Sequence, residues 1–279
     1  MSPKSWIELK QDAETGIETI RAHFEGHAYD PHWHDSYLIG YTEQGIQQFH
    51  CRGEIQRSVP GLVFTLEPGE VHDGFAVAPE GFTYSMLYLD AQWMERELRG
   101  LFEDAPAHCQ PGFNHVLSED AHLIGAIGRA YAVLRQPELR IVRQSALDAL
   151  LGQLTARLHW RTHQAIDPRL PLVAQRARDY LHDHIDTDIG LDDLAAASSV
   201  DRYRLTRAFK AAFGLAPHAY LVQLRLARAR HLLARGATPA DVAMVLGFAD
   251  QSHLGRWFRR AYGLTPAHYR RHCTNLPDA

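Results

Sequence analysis

Cysteine is scarce in this chain. Cys51, Cys109 and Cys273 are too few and too scattered for a disulfide framework or a CxxC metal site. Free thiols in a reduced, cytoplasmic protein are therefore expected. Long apolar runs are also missing. The longest, residues 242–249, contains Gly247 and falls far short of the roughly 20 residues that cross a bilayer. The opening Met1-Ser2-Pro3-Lys4-Ser5-Trp6 lacks the basic-then-apolar layout of a signal peptide, so no membrane partner is expected. What is present is ordinary for a folded protein: 46% hydrophobic and 22% charged residues. That excludes disorder as the main state. A length of 279 residues suggests two domains.

The net charge of −4 conceals an asymmetry. Residues 1–169 hold 14 Lys and Arg against 23 Asp and Glu, a net of −9. Residues 170–279 hold 15 against 10, a net of +5. Within 202–271 there are 13 basic residues and only Asp241 and Asp250 to oppose them. An acidic half joined to a basic half suggests a nucleic-acid-binding module attached to something else. Charge alone is equally compatible with a solvated helix face.

The first hundred residues read as strands and turns. Tyr37-Leu38-Ile39-Gly40-Tyr41 and Leu62-Val63-Phe64-Thr65-Leu66 are short β-branched and aromatic runs, punctuated by turns at Gly45, Gly53 and Gly69. Such spacing predicts a sandwich or small barrel over about 15–100. From about 119 to 163 the period changes. Leu123, Ile127, Ala130, Tyr131 and Leu134 recur at helical spacing, as do Ile141, Leu147, Leu150, Leu151, Leu154 and Leu158. These two amphipathic helices must cover either the barrel's flank or the same helix of a second subunit, and they are the expected dimer surface. Residues 164–171, with two prolines, read as a linker. The expected domains are 1–165 and 166–279. After the linker everything reads as helix: residues 172–185, 191–197, 201–213, 217–235 and 250–262, with Thr238-Pro239-Ala240-Asp241 opening another.

Self-comparison of this half exposes a duplication at an offset of 49 residues. Asp201, Leu205, Arg207, Phe209, Ala212, Gly214, Leu215 and Pro217 recur as Asp250, Leu254, Arg256, Phe258, Ala261, Gly263, Leu264 and Pro266. Each copy reads as short helix, tight turn, basic helix, which is helix-turn-helix geometry. Asp201 and Asp250 are placed to cap the second helix. Leu205, Phe209, Leu254 and Phe258 fall on its inner face. Arg204, Arg207, Lys210 and their counterparts His253, Arg256, Arg260 fall on its outer face. A connecting helix of about 20 residues spans roughly 30 Å, close to one duplex turn of ~34 Å. Two basic helices of one chain could thus enter successive major grooves.

The runs Phe209-Lys210-x-x-Phe213-Gly214-x-x-Pro217 and Asp250-Gln251-Ser252-His253-Leu254-x-x-x-Phe258-Arg259-Arg260-x-x-Gly263-x-x-Pro266 resemble the signature of the AraC/XylS family of bacterial transcription regulators. The resemblance covers about 170–271. It implies two helix-turn-helix units joined by a long helix, binding direct-repeat half-sites in double-stranded promoter DNA. It also implies that Arg202, Tyr203, Arg204 and Arg207 face the groove in the first unit, and Gln251, Ser252, His253 and Arg256 in the second. Arg can read guanine and Gln adenine bidentately. Lys210, Arg259 and Arg260 lie deeper along the helices and are expected on phosphate.

In the first half, Gly26-x5-His32-x-His34-x3-Leu38-x6-Gly45 resembles the first motif of the cupin barrel, and Gly61, Gly69 and His72 fit the second. The cupin metal site uses three imidazoles and one carboxylate. Here Leu38 stands at the carboxylate position and Ala76 at a later Asn position. His32, His34 and Leu38 share strand parity and should point inward. His32, Trp33, His34, Leu38 and His72 are therefore the expected effector contacts. His32, His34 and His72 alone could also hold Zn²⁺, or could simply pack a core. Trp33, Phe49, Phe64 and Tyr88 could line the pocket. Glu67 and Glu70 either orient an imidazole or, more simply, sit on an exposed turn.

The resulting expectation is an α+β two-domain protein, a cupin-like β-barrel with following helices and then an all-α domain with two helix-turn-helix motifs joined by a long helix. Its expected role is that of a sequence-specific regulator controlled by a small molecule in the barrel, with no catalytic residues and no required cofactor. A homodimer and RNA polymerase are its expected partners. The alternatives are a metal sensor using the three histidines, and a cupin metalloenzyme with a DNA-binding tail.

Overall fold

The computed structural model describes residues 5–101, 109–162 and 171–273. The opening residues 1–4 and nearly all of the expected linker lie outside the described residues. The chain divides into two compact units, residues 1–163 and 164–279.

The first unit is built from two large sheets and a two-stranded one. Strands β1 (Trp6–Gln11), β2 (Glu18–Phe24), β4 (Ser36–Gly45), β7 (Leu62–Leu66), β9 (Phe82–Asp90) and β11 (Leu117–Glu119) form a six-stranded sheet in the order β1-β2-β9-β4-β7-β11. Strands β3 (His27–His32), β5 (Gln47–Cys51), β6 (Glu54–Ser58) and β8 (His72–Ala76) form a four-stranded sheet in the order β3-β8-β5-β6. The pairings within both are antiparallel. The barrel expected from the sequence is thus a jelly-roll-like pair of sheets that are not closed on each other.

Strand periodicity divides the large sheet into two faces. Tyr37, Ile39, Leu87 and Leu89 point to an outer core, while Leu38, Met86 and Tyr88, which alternate with them along β4 and β9, point to the inner side. Three helices cover the outer face: α1 (Ala91–Leu101), α2 (Ala121–Leu134) and α3 (Arg140–Thr155). Asp120 caps α2, accepting from the backbone N–H of His122 and Leu123 at 2.8 and 2.9 Å, and it also pairs with Arg157. Leu147, Leu150, Leu151 and Leu154 are all buried in this core. Each such burial is worth roughly 1.5–3 kcal/mol. The apolar stripe of α3 therefore belongs to the barrel's flank, so Leu147 and Leu151 offer nothing to a second subunit. Two expectations are corrected here. Ile141 is 68% exposed rather than part of the stripe. Leu158 is not helical but opens β12 (Leu158–Thr162), which pairs antiparallel with β10 (Cys109–Phe113).

Gly40 shows how tightly the inner layer is built. A Cβ there would meet Ser85 O at 2.5 Å and the Phe64 ring at 2.6 Å, so only glycine lets β4 lie against that ring.

The second unit is all helical: α4 (Leu172–Asp183), α5 (Leu191–Ser198), α6 (Arg202–Phe213), α7 (Pro217–Ala234), α8 (Pro239–Val245), α9 (Gln251–Tyr262) and α10 (Pro266–Cys273). The starts follow the capping chemistry read from the sequence. Asp201 accepts from Arg204 N at 2.8 Å, Asp250 from His253 N at 2.6 Å and Thr238 from Asp241 N at 3.2 Å. Gly214 and Gly263 end α6 and α9 in the left-handed conformation, at φ 73° and 70°. Leu205 and Phe209 pack against Ala177, Leu181, Leu194 and Leu221 in one core.

Candidate functional site

A narrow, open-mouthed cavity lies between the two large sheets of the first unit. The large sheet contributes Leu38, Phe64, Leu66, Tyr84, Met86 and Tyr88, and the small sheet Tyr29, His32, Gln47, Phe49, His72 and Asp73. His34, from the link between β3 and β4, completes the wall. The lining, mostly apolar and aromatic with a few converging polar groups, is that of a small-molecule site.

The three imidazoles stand together at one end. His32 and His72 are direct cross-strand partners, their ring centroids 4.5 Å apart. His34 lies 4.7 Å from His32 and 5.3 Å from His72, edge-on to Tyr88. All three are buried, and each offers a ring nitrogen within 4.8 Å of the others. Two of the rings are fixed by backbone. His32 Nδ1 lies 2.7 Å from the Asp30 carbonyl, and His72 Nδ1 lies 2.9 Å from the Glu70 carbonyl. A carbonyl only accepts, so each Nδ1 carries the proton, and in the neutral ring Nε2 keeps a lone pair. Burial pushes the His72 imidazole below its ordinary range, only partly offset by the Glu70 carbonyl bond and Asp73. Such rings can accept from an organic donor or ligate a cation. Leu38 is buried in the same wall, at the position where a cupin carries its carboxylate. Trp33 does not join them: it is half-buried and is not among the residues that line the cavity.

The link between β7 and β8, which leads into His72, is held by ion pairs. Glu67 is not on an exposed turn, as the simpler reading had it, but 2% exposed. Its Oε1 accepts from Arg52 Nη2 at 2.8 Å and from Phe113 N at 2.6 Å. Arg52 Nε donates to Glu70 Oε1 at 2.6 Å. Glu70 thus orients His72 through its backbone carbonyl rather than its carboxylate.

The second unit carries two copies of one arrangement. In each, a short helix and a tight turn precede a helix with a basic outer face: α5 and α6, then α8 and α9. Left-handed residues make the turns, Ser199 at φ 57° and Gly247 at φ 67°. Gly247 is needed there for a second reason: a Cβ would meet Asp186 O at 2.5 Å. On α6, Arg202, Tyr203, Arg204, Arg207 and Lys210 are all exposed, Tyr203 by 72%. The Arg207 guanidinium lies over the Tyr203 ring at 5.4 Å, and Arg202 pairs with Asp192 at 3.2 Å. On α9, Gln251, Ser252, Arg256, Arg259 and Arg260 are exposed. Arg260 lies over the Trp257 ring at 4.9 Å. His253 is different from its neighbours. It is half-buried, its Nε2 accepts from Trp257 Nε1 at 2.8 Å, and Ala249 N approaches Nδ1 at 3.3 Å. Its Nε2 is thus engaged within α9. The connecting α7 has 18 residues, about 27 Å of helix.

Comparison with known proteins agrees with this division. The profile of the AraC-like ligand binding domain matches residues 14–167, and that of a helix-turn-helix domain matches residues 194–272. The chain belongs to the AraC family of transcriptional regulators. This regulator is 24% identical, over 88% of both chains, to the uncharacterized HTH-type transcriptional regulator YbfI of Bacillus subtilis. It is 38% identical to the HTH-type transcriptional activator RhaS of Escherichia coli over 31% of this chain and 32% of that one. Among solved structures, ToxT from Vibrio cholerae O395 has the same fold, with a TM-score of 0.52 at 12% identity over 98% of this chain and 99% of that one. The protein is therefore a DNA-binding transcriptional regulator with a ligand-binding domain.

Within this AraC-family regulator the cavity includes residues that the sequence did not mark. Tyr29, Gln47, Tyr84 and Met86 come from three strands far apart in sequence and belong to no motif. Tyr29 and Tyr84 hydroxyls lie 2.6 Å apart. The one available signal was strand parity: Tyr84, Met86 and Tyr88 alternate along β9.

Proposed function

We propose that this regulator binds a small organic effector between its two large sheets and reads paired half-sites in promoter DNA with α6 and α9. The observation that carries the reading is the pairing, in one chain, of a cavity with three buried imidazoles and a duplicated basic helix-turn-helix. A ToxT structure of the same fold is described as bound to an unsaturated fatty acid, with a TM-score of 0.54 at 11% identity. That supports a small molecule as the controlling ligand. The effector acts only through different affinities for the DNA-competent and incompetent states. Arg202, Tyr203, Arg204, Arg207, Gln251, Ser252 and Arg256 are the proposed base-facing set, and Lys210, Arg259 and Arg260 the phosphate set. Action as a homodimer in the cytoplasm, with RNA polymerase as the downstream partner, completes the proposal. Among the described residues no helix is long and apolar enough to cross a membrane. Catalysis is not part of this reading, because Leu38 replaces the carboxylate that a cupin metalloenzyme uses.

The test is selection of DNA from a random pool by the full chain, followed by affinity measurements with and without a metabolite library. Direct-repeat sites whose affinity responds to one compound class are expected. Sequence-independent binding would end the proposal.

A second reading replaces the organic effector with a divalent metal ion such as Zn²⁺. The mutual 4.8 Å spacing of one nitrogen from each of His32, His34 and His72 favours it. Three imidazoles suit a borderline cation and leave a fourth position open. The backbone carbonyls on His32 and His72 would serve as outer-sphere orientation. Stoichiometric metal in protein purified without an affinity tag supports this reading, and its absence under metal-replete growth removes it.

A further inference from the structure

This inference rests on the effector reading above and concerns what the cavity admits. Gln47 lies on β5 in the cavity wall, 9% exposed, and its Oε1 is buried without a hydrogen-bond partner. Buried carbonyl groups in folded proteins are nearly always paired, because leaving one unpaired forfeits its hydration. An orphan acceptor in the wall of a cavity points to a partner that arrives with a ligand. His72 adds to it: its Nδ1 proton is spent on the Glu70 carbonyl, so Nε2 is an acceptor.

The charge of the wall narrows the class further. No Lys or Arg is among the lining residues, and the one carboxylate, Asp73, is engaged by His50, whose backbone N and Nδ1 lie 2.7 and 2.8 Å from its two oxygens. An anionic ligand would sit beside the Asp73 carboxylate with no Lys or Arg as counter-charge, which is unfavourable. The remaining walls, including Phe49, Phe64, Leu66 and Met86, are apolar and suit a ring.

We infer that Gln47 is an effector contact, and that the effector is an uncharged molecule with an apolar ring and at least two hydroxyl or amine donors. One donor meets Gln47 Oε1 and the other meets an imidazole. A carboxylate is excluded.

The probes are 3-hydroxybenzyl alcohol and 3-hydroxybenzoate, which share a ring and one hydroxyl and differ in an alcohol against a carboxylate. Thermal denaturation of the full chain should show a higher midpoint with millimolar alcohol and none with the acid. Gln47→Leu removes the orphan carbonyl at similar volume. It should melt at or above the wild-type temperature without ligand, and bind the alcohol about tenfold more weakly. A structural role for the amide predicts the reverse, a lower midpoint with ligand response retained, and that result overturns the assignment. An equal response to the acid overturns it too. So does silence from the alcohol, or a midpoint moved only by Zn²⁺ alone and no longer moved in His72→Ala. Retention of pool-selected DNA by the unliganded protein is measured in parallel. Its failure in the wild type would count against the regulator reading rather than against the cavity assignment.

Discussion

Arg52 and Glu67 hold the two polar groups of one residue, Phe113: Glu67 Oε1 accepts its N–H at 2.6 Å and Arg52 Nη1 donates to its carbonyl at 3.0 Å. Phe113 in turn pairs with Leu158 on the last strand of the first unit. The Glu70 that Arg52 also binds supports His72. A chain of direct bonds thus runs from the imidazole cluster to Phe113 at the end of β10, the strand paired with β12. Arg52→Met should cost about 3 kcal/mol, because it leaves the Glu67 carboxylate buried without its cation. Glu67→Gln should cost nearer 1 kcal/mol, because an amide oxygen still accepts from Phe113 N. Urea denaturation monitored by tryptophan fluorescence ranks the two. The reverse order would show that the ion pair contributes little.

Arg225 has a comparable role in the second unit. From the middle of α7 it donates to the carbonyls of Ile185, Thr187 and Gly247, each at 2.7 Å. The first two follow α4, which packs with α6; the third is in the turn before α9. One guanidinium therefore fixes both helix-turn-helix units to the connecting helix. Burial depresses its pKa, yet guanidinium stays charged. Arg225→Lys cannot reproduce the fork. It should weaken binding to DNA carrying two half-sites much more than binding to a single half-site. Equal loss on both DNAs, measured by gel shift, would assign Arg225 to general stability instead.

Much of this was legible in the sequence, and the exceptions have physical causes. The duplication at an offset of 49 residues gave α6 and α9 with their caps, because the same local chemistry recurs at Asp201 and Asp250. The imidazole cluster was visible because a motif places His32, His34 and His72. Gln47 was not, because only the pairing of β5 with β8 brings it into the cavity wall. Leu158 misled because it extends the helical spacing of Leu154, and only its partner Phe113 makes it a strand. Helix α1 went unseen: Trp93, Met94 and Leu98 are buried among four charged residues, and Asp90 starts the helix by accepting from Trp93 N at 2.9 Å. Ile141 is exposed although its spacing suits the stripe, because α3 begins only at Arg140 and its first turn overhangs the core.

Cys51 should be chemically silent. Burial, then the neighbouring Glu70 carboxylate, pushes its thiol up to about 12. Thiolate is the reactive form, so almost none exists at neutral pH. N-ethylmaleimide at pH 7.5 should leave the Cys51 peptide unmodified in the native chain and label it fully in denaturant, as read by mass spectrometry. Rapid native labelling would show that the β5 end opens.

The two basic helices should divide into readers and anchors. Arg207 and Arg256 occupy equivalent places in the duplication and are exposed near the middle of α6 and α9. Arg207→Ala and Arg256→Ala should each cost about 1–3 kcal/mol on selected DNA and relax base choice at one position of the matching half-site. Lys210 and Arg259 lie nearer the helix ends. Alanine at either should weaken selected and random DNA alike and reduce the slope of log affinity against log salt by about one. Fluorescence anisotropy over a salt series on both DNAs separates the groups. If Arg207→Ala lowers random-DNA affinity by the same factor as selected-DNA affinity, it contacts phosphate. The reading set would then shift toward Arg204 on α6 and Gln251 on α9.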